Sequence, residues 1–206
     1  MMKEAIIYDL DNTIYAVPLI GEQLFASLFR LIAASGQHQS DMDVIKADIM
    51  RKPFQMVAAH HQFSHELTQK GINLLNDLTY SGPIKYFSDY AETGLLPGER
   101  FLVTTGFRKL QLSKIRGMGI EKDFKEIHIV DPMTSAKTKK DVFADIMERN
   151  GYTPAEMLVV GDDPESEIKA ARELGIDTAL YDKYNLHAQT EATYRISDFK
   201  ELGKLL

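Results

Sequence analysis

Short, continuous runs of apolar residues recur along the chain and predict buried β-strands. In a parallel sheet both faces are covered by helices, so apolar positions follow one another and do not alternate with polar ones. The runs therefore predict a parallel sheet. They cover Ala5–Tyr8, Phe101–Thr104, Glu126–Val130, Met157–Val160 and Thr178–Tyr181.

Helical patterns lie between the later strands. Each pattern is followed by Gly or by Asn-Gly, which commonly ends a helix. Alternating strands and helices are typical of α/β proteins. We therefore predict an α/β fold class with a doubly wound, Rossmann-like parallel sheet. The predicted helices are Lys109–Arg116, which stops at Gly117, Lys139–Arg149 and Pro164–Leu174.

The segment 16–82 interrupts this alternation, because its pattern is helical throughout. An insert after the first strand would lie over the carboxyl edge of the sheet, where ligands bind in open α/β folds. We therefore predict a small α-helical cap domain at 16–82, inserted into a core domain formed by 1–15 and 83–206. One stripe holds Leu24, Phe25, Leu28, Phe29 and Ile32, and further helical stretches cover Asp43–Met50, Phe54–His60 and Ile72–Leu78.

Composition narrows the possible partners and locations. The 206 residues carry 24 basic and 30 acidic side chains, a net charge of −6, which disfavours nucleic acid but allows a small anionic substrate beside a bound cation. The absence of cysteine excludes disulfides, thiolate metal sites and cysteine nucleophiles. No apolar run approaches the length of a membrane span, so we expect no membrane partner and a cytoplasmic location.

Carboxylates directly follow two of the predicted strands. Asp9 and Asp11 end the first strand, and Asp162 ends the fourth. Buried acids are costly unless a charge compensates them, and a divalent cation with oxygen ligands such as Mg²⁺ would do so. Acids at such positions also order turns or cap helices. Asp163 could be a helix N-cap, and Glu167 a first-turn acid favoured by the helix dipole.

Polar groups also follow the second and third predicted strands. Thr104, Thr105 and Gly106 end the second strand and offer a hydroxyl and backbone N–H groups to an anion. Lys137 lies in a loop before a helix, a place where most lysines are simply solvated. Lys137 is a candidate site residue only because the sheet would bring the acids and hydroxyls named above near it.

Taken together, these segments resemble the motifs of the haloacid dehalogenase superfamily, and the resemblance covers almost all of the chain outside the insert. Asp9-Leu10-Asp11-Asn12-Thr13 is similar to the first motif, Thr104 to the second and Lys137 to the third. Gly161-Asp162 with Glu167 is similar to the fourth. The helical insert resembles the first type of cap in this family.

The segments also depart from the family pattern at three positions. Glu167 stands where aspartate is usual, and Thr105 where asparagine is frequent. The proline that often follows the third-motif lysine is missing, so Lys139 and Lys140 remain alternatives to Lys137.

The resemblance implies a magnesium-dependent phosphatase that acts on a small phosphorylated metabolite through an aspartyl phosphate on Asp9. Asp11 would act as general acid and base. The implied catalytic residues are Asp9, Asp11 and Lys137; the substrate-binding residues are Thr104, Thr105 and Gly106; the metal ligands are Asp9, Asp162 and Asp11 through its carbonyl; and the supporting residues are Thr13, Asp163 and Glu167.

Other functions on the same scaffold remain open. A phosphomutase, a nucleotidase-like enzyme and a catalytically idle binding protein share the fold, whereas a dehalogenase is disfavoured because that branch typically lacks the acid at Asp11. In the insert, Arg51, Lys52 and the histidines are candidates for substrate contact. Three of these histidines, His60, His61 and His65, lie close together in the sequence, and for them packing or substrate contact is favoured over a metal site.

Overall fold

In a computed structural model, which describes residues 3–36, 38–187 and 190–206, six parallel strands form one sheet in the order β3-β2-β1-β4-β5-β6. The chain moves outward from β1 to β3 and then returns to continue on the other side of β1, which makes the sheet doubly wound. The predicted fold class is confirmed. The strands are β1 (Ala5–Tyr8), β2 (Glu99–Thr105), β3 (Glu126–Val130), β4 (Met157–Gly161), β5 (Asp177–Tyr181) and β6 (Tyr194–Ile196). β6 was not predicted.

Within the described residues, five α-helices lie between β1 and β2, and the others connect the later strands. None of the helices in the described ranges is long and apolar enough to cross a membrane. The insert helices are α1 (Pro18–Leu24), α2 (Ala26–Ser35), α3 (Met42–Ile49), α4 (Phe54–His60) and α5 (His65–Asp77). The connecting helices are α6 (Arg108–Met118) after β2, α7 (Lys139–Asn150) after β3, and α8 (Lys169–Arg172), which follows a π-helical turn at Pro164–Ile168.

Two predicted helix boundaries are corrected. The helix after β2 passes through Gly117 and ends at Met118, because Gly119 adopts φ 70°, a left-handed conformation that favours glycine. The predicted helix Pro164–Leu174 is instead the π-helical turn followed by the single turn of α8.

The helical insert follows its predicted pattern closely. The five apolar residues of the predicted stripe are all buried, although Phe25 separates α1 from α2. α5 begins before the predicted Ile72, because the Ser64 hydroxyl caps it by accepting a hydrogen bond from the Leu67 N–H at 3.1 Å. The division of the chain into a cap domain and a core domain stays a prediction.

Both faces of the sheet are buried, as continuous apolar strands require. Ile6 and Tyr8 belong to a cluster that includes residues of α2–α5, whereas Ala5 and Ile7 belong to a cluster with residues of α7 and α8. Alternate residues of one strand therefore serve opposite faces. The carboxyl edge of the central strands is left as the place where polar side chains gather.

Candidate active site

The carboxyl ends of β1, β2 and β4 lie side by side. Tyr8 on β1 is in register with Leu102 on β2 and with Val160 on β4. The polar residues that follow these strands therefore meet at one edge, as predicted. They line a cavity of about 140 Å³ together with residues from the helical insert. Site residues that line it are Asp9, Asp11, Thr104, Thr105, Gly106, Lys139, Asp162, Asp163 and Glu167.

Asp9 sits at the centre of a buried ionic cluster. The Lys139 ammonium donates to Asp9 Oδ1 at 2.6 Å and to Glu167 Oε2 at 2.7 Å. All three side chains are at most 7% exposed. Because removing one partner from a buried ion pair leaves an uncompensated charge, each of these three groups depends on the others.

The structure places Lys139, and not Lys137, beside Asp9. Lys137 is exposed in the loop, where its backbone N–H donates to Ser135 Oγ at 3.0 Å. The reason is the start of α7, where Thr138 and Asp141 form a capping box. Lys139 is therefore the first helical residue, and it turns toward the sheet edge. Lys137, the lysine assigned to the site from the sequence, is therefore not beside Asp9. Of the two alternatives, Lys139 contacts Asp9, whereas Lys140 pairs with Glu173 at 2.8 Å.

Three acids converge where the sequence predicted metal ligands. Carboxylate oxygens of Asp9, Asp162 and Glu167 lie within 4.8 Å of one another. Burial, opposed by Lys139 and reinforced by Glu167, raises the pKa of Asp9 to about 7. Burial, followed by the charges of Glu167 and Asp9, raises the pKa of Asp162 well above its usual value. Hard oxygen donors with excess negative charge fit a divalent cation such as Mg²⁺.

Gly161 is required by the close approach of Glu167. A Cβ atom at this position would overlap the carboxyl group of Glu167. Glu167 Oε1 accepts a hydrogen bond from the Asp163 N–H at 2.8 Å, while its other oxygen holds Lys139. The longer acid that departs from the family pattern thus folds back over the glycine and supports the lysine.

Asp163 acts as the cap of the turn that follows β4. Its Oδ1 accepts a hydrogen bond from the Glu165 N–H at 2.9 Å. This contact agrees with the sequence-based interpretation of Asp163 as a helix N-cap. Burial, with a contribution from Glu167, raises its pKa.

Asp11 is held by four hydrogen bonds from three side chains. Lys114 Nζ lies 2.7 Å from both carboxylate oxygens, Gln111 Nε2 donates to Oδ2 at 2.9 Å, and Tyr15 donates from its hydroxyl to Oδ1 at 2.5 Å. Burial alone would raise the pKa of Asp11, but Lys114 and these donors outweigh it and the pKa is lowered. Asp11 is therefore a carboxylate in this arrangement.

Lys114 and Gln111 are site residues that sequence analysis missed. They lie on α6 among its buried positions, next to Leu110, Ile115 and Met118. A lysine on the apolar stripe of a helix is the signal that could have revealed them, since a buried lysine needs a charged partner. Their partner is more than 90 positions away in the sequence, and no local pattern identifies it.

The residues at the end of β2, which were predicted to bind an anion, make hydrogen bonds within the protein. The Thr104 hydroxyl is buried and accepts a hydrogen bond from Gln111 Nε2 at 2.6 Å. Gly106 adopts φ 148°, which favours glycine, and its N–H donates to the Val130 carbonyl at 3.0 Å. That N–H is therefore used within the sheet, and Thr105 lies beside it at the cavity wall.

The first motif also ties the sheet to the insert. Asn12 adopts φ 59°, its side-chain N–H donates to the Met50 carbonyl at 3.2 Å, and its oxygen accepts from the Val17 N–H at 3.1 Å. Thr13 is fully buried, and its hydroxyl has no hydrogen-bond partner within the described ranges. It does not line the cavity.

A cation from the insert reaches the same site. Arg51 lies between α3 and α4, and its Nη2 is 3.3 Å from Asp162 Oδ2 and 3.4 Å from His187 Nε2. Lys52 instead pairs with Asp48 at 2.7 Å, although it also lines the cavity. The insert therefore contributes directly to the electrostatics of the acid cluster.

His60, His61 and His65 of the insert do not line this cavity. His61 is buried, with Nδ1 2.6 Å from Ser40 Oγ and Nε2 2.8 Å from Asp48 Oδ2. His65 is exposed at the first position of α5 and takes no part in this contact. The contacts of His61 join Ser40, before α3, and Asp48, on α3, to the end of α4. Ligand atoms of Asp48, His60 and His61 lie within 4.8 Å of one another, and the role of these histidines stays a prediction.

Comparison with known proteins identifies relatives of this chain. The family model of the haloacid dehalogenase-like hydrolases matches residues 6–181. A ribulose-1,5-bisphosphate 5-phosphatase from Halopiger xanaduensis is 23% identical, over 94% of this chain and 91% of the relative.

Solved structures share the fold at lower identity. The HAD-hydrolase YfnB from Bacillus subtilis bound to magnesium is 17% identical with a TM-score of 0.61, covering 100% of this chain and 99% of that one. The L-2-haloacid dehalogenase from Xanthobacter autotrophicus is 16% identical with a TM-score of 0.60, covering 99% and 98%. A hydrolase bound to magnesium and a dehalogenase therefore share this fold, so the fold alone does not determine the reaction.

Proposed function

Because the chain belongs to the haloacid dehalogenase-like hydrolases, we propose that it is a magnesium-dependent phosphatase that hydrolyses a small phosphomonoester through an aspartyl phosphate. The observation that supports this best is Asp9 at the end of β1 with the Lys139 ammonium 2.6 Å from its Oδ1. The carboxylate is a nucleophile for phosphorus, and the ammonium can neutralise charge on the transferred group. Asp11, which a dehalogenase would not need, is also present.

The metal would be held by Asp9, Asp162 and the backbone carbonyl of Asp11. When bound, Mg²⁺ supplies positive charge that lets a carboxylate approach a phosphate, two groups that otherwise repel each other. Glu167 is engaged with Lys139 and the Asp163 N–H, so its main task is to hold the lysine.

The chemistry assigned to the chain's own residues has two steps. In the first, an Asp9 oxygen bonds to phosphorus, the ester P–O bond breaks, and the leaving oxygen takes a proton from Asp11. Because Asp11 is a carboxylate in the free protein, it takes up that proton from solvent when the anionic substrate binds beside it and raises its pKa. In the second, water attacks the same phosphorus and gives its proton to Asp11, which releases inorganic phosphate and restores Asp9. Lys114 holds Asp11 as the carboxylate that the second step needs.

We expect hydrolysis to require Mg²⁺ and calcium to fail as a replacement. Calcium takes more ligands at longer distances in a looser geometry, which would misplace Asp9 against phosphorus. The measurement is release of inorganic phosphate from a panel of small phosphate esters, after exhaustive chelation and after each metal is returned. Full turnover in the chelated protein would contradict the metal assignment, and no turnover with either metal would favour an idle binding protein.

We expect the effect of Asp11→Asn to depend on the leaving group. An alkyl phosphate releases an alkoxide that must be protonated, and general acid catalysis contributes roughly 10²–10⁴-fold there. p-Nitrophenyl phosphate releases a stable phenolate, so its first step should change little. The second step needs the base for both esters, so the variant should show a burst of nitrophenolate followed by slow turnover. Equal losses at the first step, with no burst, would show that Asp11 is only structural.

A further inference from the structure

One polar side chain in the cavity wall has no partner in the protein. The Nε2 atom of Gln55, near the start of α4, is buried and makes no hydrogen bond within the described ranges. The other buried side-chain atoms of this kind there are the hydroxyls of Tyr8 and Thr13, which do not line the cavity. Gln55 does line it, on the side formed by the insert.

An unpaired buried amide is costly to the folded protein. Leaving a buried donor unsatisfied costs about 1–3 kcal/mol, and native proteins contain few such groups. A glutamine kept for packing would be hydrogen-bonded or could be replaced by an apolar side chain of similar length. Gln55 as a residue is partly exposed and lines the cavity, while its Nε2 atom is enclosed, so a rotation of the side chain would present this unpaired donor to a ligand in the cavity.

We propose that Gln55 is a specificity residue that donates a hydrogen bond to an oxygen on the organic part of the phosphate ester. This inference rests on the proposed phosphatase function. With the phosphoryl group at Asp9, the organic part would extend toward the insert, where Gln55 lies. The substrate would then be an oxygenated ester, with a hydroxyl or carbonyl group on its carbon skeleton, and not a plain alkyl phosphate.

The surroundings of Gln55 favour an uncharged acceptor. The neighbouring cations of the insert have acidic partners, because Arg51 contacts Asp162 and Lys52 pairs with Asp48. Gln55 itself carries no charge to compensate an anion. Much of the remaining wall is apolar and includes Val17, Phe25, Ile49, Phe54, Leu75, Phe107 and Leu110.

The test compares two three-carbon esters, dihydroxyacetone phosphate and n-propyl phosphate, in wild type, Gln55→Met and Gln69→Met. Gln69 is a matched control, since it is exposed on α5 and its Nε2 donates to Asn73 at 3.0 Å. We expect Gln55→Met to lower the ratio of kcat/KM for the oxygenated ester over the alkyl ester by about tenfold, the value of one hydrogen bond of average strength. Gln69→Met should leave the ratio unchanged.

A second measurement separates recognition from structure. Removing an unsatisfied donor should raise the Tm of the ligand-free Gln55→Met protein by about 2–4 °C, whereas loss of a structural hydrogen bond would lower it. A lower Tm, or an unchanged ratio in a wild type that hydrolyses both esters, would overturn the role of Gln55 alone. Failure of the wild type to hydrolyse either of them or any other phosphate ester would overturn the phosphatase function and this inference with it.

Discussion

Asp9→Asn is expected to reduce turnover by at least about 10⁴-fold, because the amide keeps the shape of the side chain but is no longer a nucleophile. The measurement is release of inorganic phosphate in the presence of Mg²⁺, with circular dichroism to confirm that the variant is folded. Residual activity above a few per cent, from protein purified free of host phosphatases, would place the nucleophile elsewhere.

The same variant should not lose stability. Burial raises the pKa of Asp9 from 3.8 to about 7, so between these values the folded state binds more protons than the unfolded state. The contribution of Asp9 to stability therefore falls as pH rises through this window, and the charged form is the costly one. In chelator, we expect Asp9→Asn to raise the Tm relative to wild type, and to raise it more at about pH 8 than at about pH 5. A larger rise in Tm at the lower pH would show that the buried charge of Asp9 is not the cause.

Lys139→Met is expected to lower kcat/KM by about 10²–10³-fold, the usual effect of removing one group that stabilises charge in a transition state. It should also destabilise the fold, because it leaves Asp9 and Glu167 buried without their shared cation, at a cost of about 3–5 kcal/mol. Activity and Tm are therefore measured together, with the assay well below the Tm of the variant.

Lys137→Met is the matched control for this experiment. It makes the same change two residues earlier, in an exposed loop, so we expect wild-type kcat/KM within about twofold and an unchanged Tm, as for surface substitutions. The reverse outcome, with loss at Lys137 and none at Lys139, would show that the motif spacing predicts the lysine better than the geometry around α7.

The alternation of strands and helices was readable from local pattern. A run such as Ala5–Tyr8 is apolar at every position because both faces of the strand are covered, and this is a property of a few neighbouring residues. An acid that directly follows a strand is likewise recognised from a few neighbouring residues. Asp9 and Asp162 could therefore be assigned to one edge before any contact was known, and the register of β1 with β4 brings them together.

The partners of these acids could not be predicted in the same way. Asp11 binds Lys114, 103 residues further along the chain, and Asp9 binds Lys139, 130 residues further along. Other lysines lie nearby in the sequence, Lys109 before Lys114 and Lys137 and Lys140 beside Lys139. Which of them reaches an acid depends on the face of the helix that it occupies and on where that helix begins. A local motif can therefore predict which acids lie at the ends of the strands. The cation that neutralises each acid, and the unpaired amide of Gln55 in the cavity wall, depend on how helices pack against the sheet, because only packing determines which groups are removed from water together.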